Sequence, residues 1–240
     1  MPRIPHTAMV FAAGIGSRMR PVTDTMPKPL VSIAGRPMLD HMLDRLDEAG
    51  VERAIVNVHY RADQVVAHLH GRTAPVISIS DETSKLLDQG GGIRKVLAEI
   101  GSDPFLICNT DALWLEGPRP ALPRLFASWD AYRMDVLLLV ASAVTSVGVD
   151  WPGDFTMAGD GRLERRRETT VAPFVYAGVG LIKPQLFHGI DDEVFRLAPF
   201  FFRAAERGRL FGSRLDGSWL HVGTPGAIAE AEAAVRRSAP

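Results

Sequence analysis

The chain has 240 residues, enough for one large domain and for burial of roughly 70 to 75% of its unfolded surface without a disulfide or metal staple. Twenty-seven Lys and Arg against 28 Asp and Glu leave a formal charge of -1, which excludes the broad cationic excess of a general nucleic-acid binder. With 46% apolar and 23% charged residues the composition is that of an ordinary globular protein, and the single cysteine, Cys108, excludes an internal disulfide and any paired-cysteine zinc or redox site.

In chain order, residues 8–12 form a short apolar run bounded by glycine, the pattern of a buried strand entering a turn. Leu39, Met42, Leu43 and Leu46 fall at helical spacing, with Gly50 as the stop. Residues 54–58 read as a strand, Val65, Val66 and Leu69 as a helix ending at Gly71, and 76–79 as a third strand. Ile93, Val96, Leu97 and Ile100 give another helical face, and 105–108 a fourth strand. This alternation is the sequence form of a parallel sheet with helices on both faces.

The later half is less regular. A helix over 122–132, a strand over 136–141, short strands within 153–167, a strand over 176–182 and a helix over 197–207 are expected. Thr224 followed by Pro225 reads as an N-cap with proline at the first helical position, opening a closing helix to Arg237. One α/β domain spanning 1–240 is expected, a doubly wound Rossmann-like, mostly parallel sheet with a small inserted lobe in its later half. No segment approaches the ~20 apolar residues of a membrane span. Residues 9–13 imitate the start of a secretion signal, but Gly14 and Gly16 interrupt it. A reducing cytoplasm is the expected setting.

The chemistry concentrates in Ala12-Ala13-Gly14-Ile15-Gly16-Ser17-Arg18-Met19-Arg20-Pro21 and in Pro27-Lys28-Pro29. Two glycines just beyond a strand remove side chains where backbone N–H groups must approach a ligand, and turned amides of this kind make an anion nest suited to phosphate. Met19 stands where a dinucleotide fingerprint has its third glycine, and no Gly-Lys-Ser/Thr follows, so neither Rossmann cofactor binding nor Walker chemistry fits. Lys28 between two prolines is expected on a stiff, extended segment. Asp111 follows an apolar strand, at the carboxyl end of the sheet where ligands of open α/β folds bind, and is a hard-oxygen ligand for Mg2+. Cys108 beside it reads as a small buried hydrophobe.

These motifs resemble the signature of the sugar nucleotidyltransferases, the nucleoside-diphosphate-sugar pyrophosphorylases. The likeness extends to Gly90-Gly91-Gly92, Asn109-Thr110-Asp111, Gly178 and Trp219-Leu220-His221-Val222-Gly223-Thr224. Among the branches, Leu87-Asp88-Gln89-Gly90-Gly91-Gly92-Ile93 in a compact chain with no C-terminal β-helix is most similar to the N-acetylmuramate 1-phosphate uridylyltransferases of peptidoglycan recycling. The resemblance implies that a sugar 1-phosphate oxygen attacks the α-phosphorus of a nucleoside triphosphate, UTP in this branch, with pyrophosphate leaving. It implies Arg18 and the amides of Ala12, Ala13, Gly14 and Gly16 on the triphosphate, Lys28 between the α-phosphate and the sugar phosphate, and Asp111 on Mg2+, with Mn2+ an alternative. It also implies Glu82, Gly90 and Gly91 at the base, and Asn109 and Gly178 at the sugar. A nucleotide-binding half over about 7–112, a sugar-binding half over about 113–224 and a closing helix follow, in a monomer or small homo-oligomer without nucleic-acid or membrane partners.

One departure stands out: where the family's second metal carboxylate is expected, this chain has His221. Imidazole suits transition ions better than Mg2+, so His221 is either a metal ligand favouring Mn2+ or a hydrogen-bonding group. Arg162, Arg165, Arg166 and Arg167 are a solvated charged strand or a receiver for a phosphate or the lactyl carboxylate of a muramic sugar, and Phe200, Phe201 and Phe202 cannot all face one core. The rival readings are a glucose or mannose 1-phosphate enzyme using UTP, dTTP or GTP, and a non-catalytic sugar-nucleotide sensor.

Overall fold

A computed structural model describes residues 4–238. The first half contains strands β1 (Thr7–Phe11), β2 (Ser32–Ile33), β3 (Arg36–Pro37), β4 (Arg53–Val58), β5 (Val76–Asp81), β6 (Phe105–Asn109) and β7 (Ala112–Leu115), with helices α1 (Met38–Glu48), α2 (Ala62–Leu69), α3 (Asp88–Lys95) and α4 (Leu97–Ile100) between them. The second half adds α5 (Ala121–Ser128), β8 (Val136–Ser142), β9 (Phe155–Met157), β10 (Leu163–Arg165), β11 (Phe174–Ile182), α6 (Ala198–Glu206), β12 (Leu210–Arg214), β13 (Ser218–His221) and α7 (Pro225–Ser238).

Nine strands form one mixed, mostly parallel sheet, with the path β10-β9-β11-β6-β1-β4-β5 and with β8 joined to both β11 and β12. Strands β5, β4, β1 and β6 run parallel, β12 is parallel to β8, and β11 lies antiparallel between β6 and β8. Alternation of side chains across the pleat builds two cores. Ala8 and Val10 of β1, with Leu106 and Cys108 of β6, face α1, α2 and α5, whereas Met9, Phe105 and Ile107 face α3, α4 and α6. The doubly wound α/β architecture expected from the alternation is therefore present.

A third cluster positions the site. Met19, Val31, Met38, Leu113, Leu220, Val222 and Ala231 pack together, so the loops after β1 rest on the two-stranded β7–β13 sheet and on α7. The Phe triplet divides as its spacing requires. Phe200 and Phe201 are buried, while Phe202 is half-buried with the Arg165 guanidinium 4.0 Å above its ring.

Several boundaries differ from the periodicity. The helix expected to reach 132 ends at Ser128, because Trp129 turns extended and Asp130 organises a turn, accepting the Tyr132 N–H at 2.9 Å. The face over 93–100 divides into α3 and α4 at Val96. The strand expected from Tyr176 begins at Phe174 and shifts register between Tyr176 and Gly180. Gly178 accounts for the shift: its φ is +81°, and a Cβ there would lie 2.5 Å from the Ala112 Cβ. Gly178→Ala is therefore expected to lower unfolding free energy by about 2–3 kcal/mol through overpacking and strain, read as a lower urea midpoint; an unchanged midpoint would show that the turn relaxes.

Candidate active site

The carboxyl ends of β1, β4 and β6 open into a cavity of about 520 Å³, lined among others by Gly14, Arg18, Lys28, Gln89, Asn109 and Asp111. Beyond β1, Gly14 has open space around its Cα, and Gly16 adopts φ +69°. A Cβ on Gly16 would stand 3.0 Å from the Lys28 Cβ and the Thr23 Cγ2, so the missing side chain brings the turn against the lysine. Thr23 Oγ1 fastens it by donating to the Gly16 carbonyl at 2.9 Å. Lys28 does not sit on the extended segment expected from its flanking prolines. Pro27 is extended, but Lys28 opens a tight 3-10 turn closed by Leu30 N–H to Pro27 O and Val31 N–H to Lys28 O, both at 3.0 Å. Tertiary packing of Val31 against Met19 and Met38 overrides the local preference.

That turn aims the ammonium across the cleft. Lys28 Nζ donates to Asp111 Oδ2 at 2.6 Å, with side chains 14% and 24% exposed. Burial works against the Asp111 charge, but Lys28 outweighs it and, with His221, holds the carboxyl below its usual range. Arg18 is exposed and carries no ion-pair partner among the described residues; it separates the main cavity from a neighbouring one of about 370 Å³ that includes Asp150, Trp151, His221 and Glu230. Three cationic or anionic groups expected to act together, Arg18, Lys28 and Asp111, thus line one cavity.

His221 ends β13 and pairs in register with Ala112, which places it next to Asp111. Its ring stacks on Trp219 at 5.3 Å and meets the edge of Trp151 at 5.3 Å. Burial lowers its pKa below the usual value against the attraction of Asp111, so the ring is neutral at pH 7. Among the described residues its buried Nδ1 has no hydrogen-bond partner, nor do the buried Trp219 Nε1 and Tyr176 Oη. Burial likewise pushes the Tyr176 phenol well up, and the Cys108 thiol is raised by burial alone and is chemically inert.

On the other side of the cavity the structure assigns the motif residues less directly. Glu82 is 1% exposed, its Oε1 accepting from Asn57 Nδ2 at 2.8 Å and its Oε2 from the Leu87 N–H at 3.2 Å. Asn57 Oδ1 in turn accepts the Ala12 N–H at 2.8 Å. Gly90 and Gly91 lie inside α3, and their N–H groups donate to Phe195 O at 3.0 and 3.3 Å. In this conformation those amides are spent within the protein. Asn109 Oδ1 accepts from Gln89 Nε2 at 2.8 Å, and Gly178 packs under Asn109. Arg166 is taken up by the carbonyls of Gly153, Arg167, Glu168 and Thr170, and Arg162 by Asp160.

Asn57, Gln89 and Trp151 were not singled out from the sequence. A polar residue inside the apolar run Ala54-Ile55-Val56-Asn57-Val58 was the available signal for the first. Trp151 carried none, since only the fold brings its ring to His221 and ties its Nε1 to Asp154 Oδ1 at 3.1 Å.

A glycine turn, an arginine without an ion-pair partner among the described residues and a lysine–carboxylate pair thus stand together at the strand ends, and likeness to known proteins gives the class. The family model of the MobA-like NTP transferase domain matches residues 8–179. The chain is 45% identical over 237 residues to an N-acetylmuramate alpha-1-phosphate uridylyltransferase of Caulobacter vibrioides, covering 97% of this chain and 98% of that protein. It is 33% identical over 229 residues to a protein of the same name from Neisseria meningitidis, covering 94% and 96%. In fold it is similar to UDP-glucose pyrophosphorylase complexed with UDP-glucose, with a TM-score of 0.77 at 17% identity over 97% of this chain and 99% of that one. The chain belongs to the MobA-like NTP transferase family, and it is an enzyme of the sugar nucleotidyltransferase kind.

The Lys28–Asp111 contact carries a stability signature. The Asp111 carboxyl titrates below its unfolded value of about 3.9, so its contribution is fully present above that value and is lost as pH falls through the lower folded pKa. In Lys28→Met, burial acts on Asp111 with much less opposition and its pKa moves up. The variant is expected to be about 1–3 kcal/mol less stable than the parent at pH 7, with the gap closing toward pH 3 in urea titrations. A gap independent of pH would show that the pair is not what depresses the Asp111 pKa.

Proposed function

We propose that the enzyme joins UTP and N-acetylmuramate 1-phosphate to give UDP-N-acetylmuramate and pyrophosphate, a reaction of cell-wall sugar recycling in the cytoplasm. The observation that carries the chemistry is the meeting of Lys28 and Asp111 at the strand ends beside the glycine turn. The choice of sugar and base rests on the likeness over almost the whole chain to two uridylyltransferases.

The nucleophile is a phosphate oxygen already ionised at neutral pH, so no general base is required. Its attack on the α-phosphorus forms one P–O bond as the bond to the bridging β-phosphate oxygen breaks, and pyrophosphate carries the electron pair away. Both reactants are polyanions and negative charge accumulates on the α-phosphate oxygens, so positioned cations and N–H groups supply the catalysis. In this assignment the amides from Ala12 to Gly16 and the unpaired Arg18 receive the triphosphate. An ammonium has three donors; one holds Asp111, and two remain to bridge the α-phosphate and the sugar phosphate.

The base lies at the Glu82–Gln89 side of the cavity. With both Glu82 oxygens engaged, Glu82 holds Asn57 and the Leu87 amide and keeps its remaining lone-pair capacity for a pyrimidine N3–H. Asn109, supported by Gly178 and Gln89, faces the acceptor sugar. In this reading the nucleotide is held mainly by residues of about 7–112 and the sugar by Asn109 together with residues of about 113–224, with the helix Pro225–Ser238 closing the fold.

The family chemistry calls for a divalent metal, and the donors fit one. Among the described residues no three acidic, His or Cys side chains converge to cage an ion. A carboxylate at the cleft floor and an adjoining imidazole with an unpartnered nitrogen instead suit an ion shared with substrate phosphates. Mg2+ would be held by Asp111 and the substrate phosphates, whereas an ion held by His221 as well would be Mn2+; either would neutralise phosphate charge when bound.

A panel of sugar 1-phosphates and nucleoside triphosphates, scored by pyrophosphate release, is expected to select N-acetylmuramate 1-phosphate and UTP; selection of glucose or mannose 1-phosphate would overturn the substrate. Lys28→Ala is expected to lower kcat about 100- to 1000-fold while the protein stays folded. For His221→Asp, activation is expected to shift from Mn2+ toward Mg2+, and identical metal profiles would remove His221 from the ion.

A further inference from the structure

One wall of the nucleotide cavity comes from the second half of the chain. Residues 188–197 connect the tight turn Pro184–Phe187 to α6 and cross the outside of α3. Phe195 O accepts the Gly90 and Gly91 N–H groups, as described above. The fit is tight enough to require glycine. A Cβ on Gly90 would stand 2.3 Å from Phe195 Cδ2, and one on Gly91 would stand 2.2 Å from Glu193 O. From the opposite side, a Cβ on Gly92 would be 2.8 Å from Glu82 Oε1 and 3.2 Å from Asn57 Nδ2. The glycine run is therefore pressed between the crossing segment and the Asn57–Glu82 pair that holds Ala12.

Lys85 and Glu193 add an ion pair at 2.6 Å, but with side chains 53% and 58% exposed it contributes little beside the backbone fit. On either side of Val194, the Phe195 carbonyl is hydrogen-bonded to α3 and the Glu193 carbonyl lies against the bare Gly91 Cα. Val194 is 47% exposed and lines the cavity together with Leu86, which precedes the N-cap residue of α3, Leu87. An aliphatic pair anchored this firmly beside the Glu82–Gln89 edge suits the apolar face of a planar ring.

Resting on the uridylyltransferase reading above, we propose that residues 193–195 form a strap of the nucleobase pocket. Val194 covers one face of the pyrimidine, and the triple glycine serves to seat the strap. The width of the pocket, and with it the preference for a one-ring base over a two-ring base, is set by how far the strap closes onto α3. Gly90 and Gly91 act on the base as positioning residues, and Val194 touches it.

The test is calorimetric titration with UTP and GTP, without sugar phosphate, followed by steady-state kinetics. In Val194→Ala, whose half-exposed side chain leaves the core untouched, UTP affinity is expected to fall about tenfold, with the UTP-over-GTP preference reduced, KM for UTP raised, kcat little changed and the melting temperature unmoved. Gly91→Ala is expected to weaken UTP in the same way by lifting the strap. If it does not fold, Val194→Ala decides. Unchanged affinities for both nucleotides in Val194→Ala would overturn the strap while leaving the uridylyltransferase reading intact. A parent enzyme that prefers another triphosphate would instead overturn the choice of UTP, and the strap would still require Val194→Ala to weaken whichever nucleotide is preferred.

Discussion

The site depends on one contact between residues 83 positions apart, the ammonium of Lys28 against the carboxylate of Asp111. Two polyanions approach each other only where cations are already placed, and a flexible lysine is a poor placement because its rotamer entropy must be surrendered at the moment of reaction. A carboxylate at the end of β6 removes that freedom beforehand. The cost is a charge held at a largely buried position, which the lysine offsets locally. Everything around the pair serves its geometry. Gly16 makes room for the Lys28 stem, and the third apolar cluster seats the loops that carry Arg18 and Lys28 on β7, β13 and α7.

The side of the cavity around Glu82 is organised by the same logic with different chemistry. A buried carboxylate is expensive unless it is hydrogen-bonded, and each oxygen of Glu82 has a donor, Asn57 on one and the Leu87 amide on the other. Asn57 passes the constraint to the Ala12 amide, at the start of the phosphate turn. A parallel sheet underlies both: Asn57 and Asn109 stand opposite Phe11 in the two strands flanking β1, so strand register sets where their side chains meet the cavity.

Much of this was legible in the sequence, for reasons that differ by element. Long apolar strands such as β1, β6 and β8 and the amphipathic α1 were readable because their burial pattern is fixed by a single sheet face or pair of faces. The strands β2, β3, β7 and β13 were not, being two to four residues long, nor was β12, which matches β1 in length but is interrupted by Gly212, whose bare Cα lets Leu163 approach. Arg18, Lys28 and Asp111 were found because proline, glycine and strand-end signals converge on them, and the structure brings all three to one cavity. The Arg162–Arg167 group illustrates the reverse. Its charges suggested a ligand, but Arg166 closes a loop on four carbonyls and Arg165 lies over Phe202.

The triple glycine shows where such reading stops. Glycine in a sequence announces that something comes close to the backbone, and it does not say what. After β1 the open space at Gly14 leaves the approach to a ligand, whereas in α3 the approaching group is the protein's own chain at Glu193 and Phe195. Three glycines in succession are poor helix formers, and α3 forms regardless, because the Phe195 carbonyl takes the N–H groups of two of them. The helix and the crossing segment thus define each other. The two halves of the chain accordingly meet without a seam here, since Val194 and Gly223 of the second half line the same cavity as Gly14, Lys28 and Glu82 of the first.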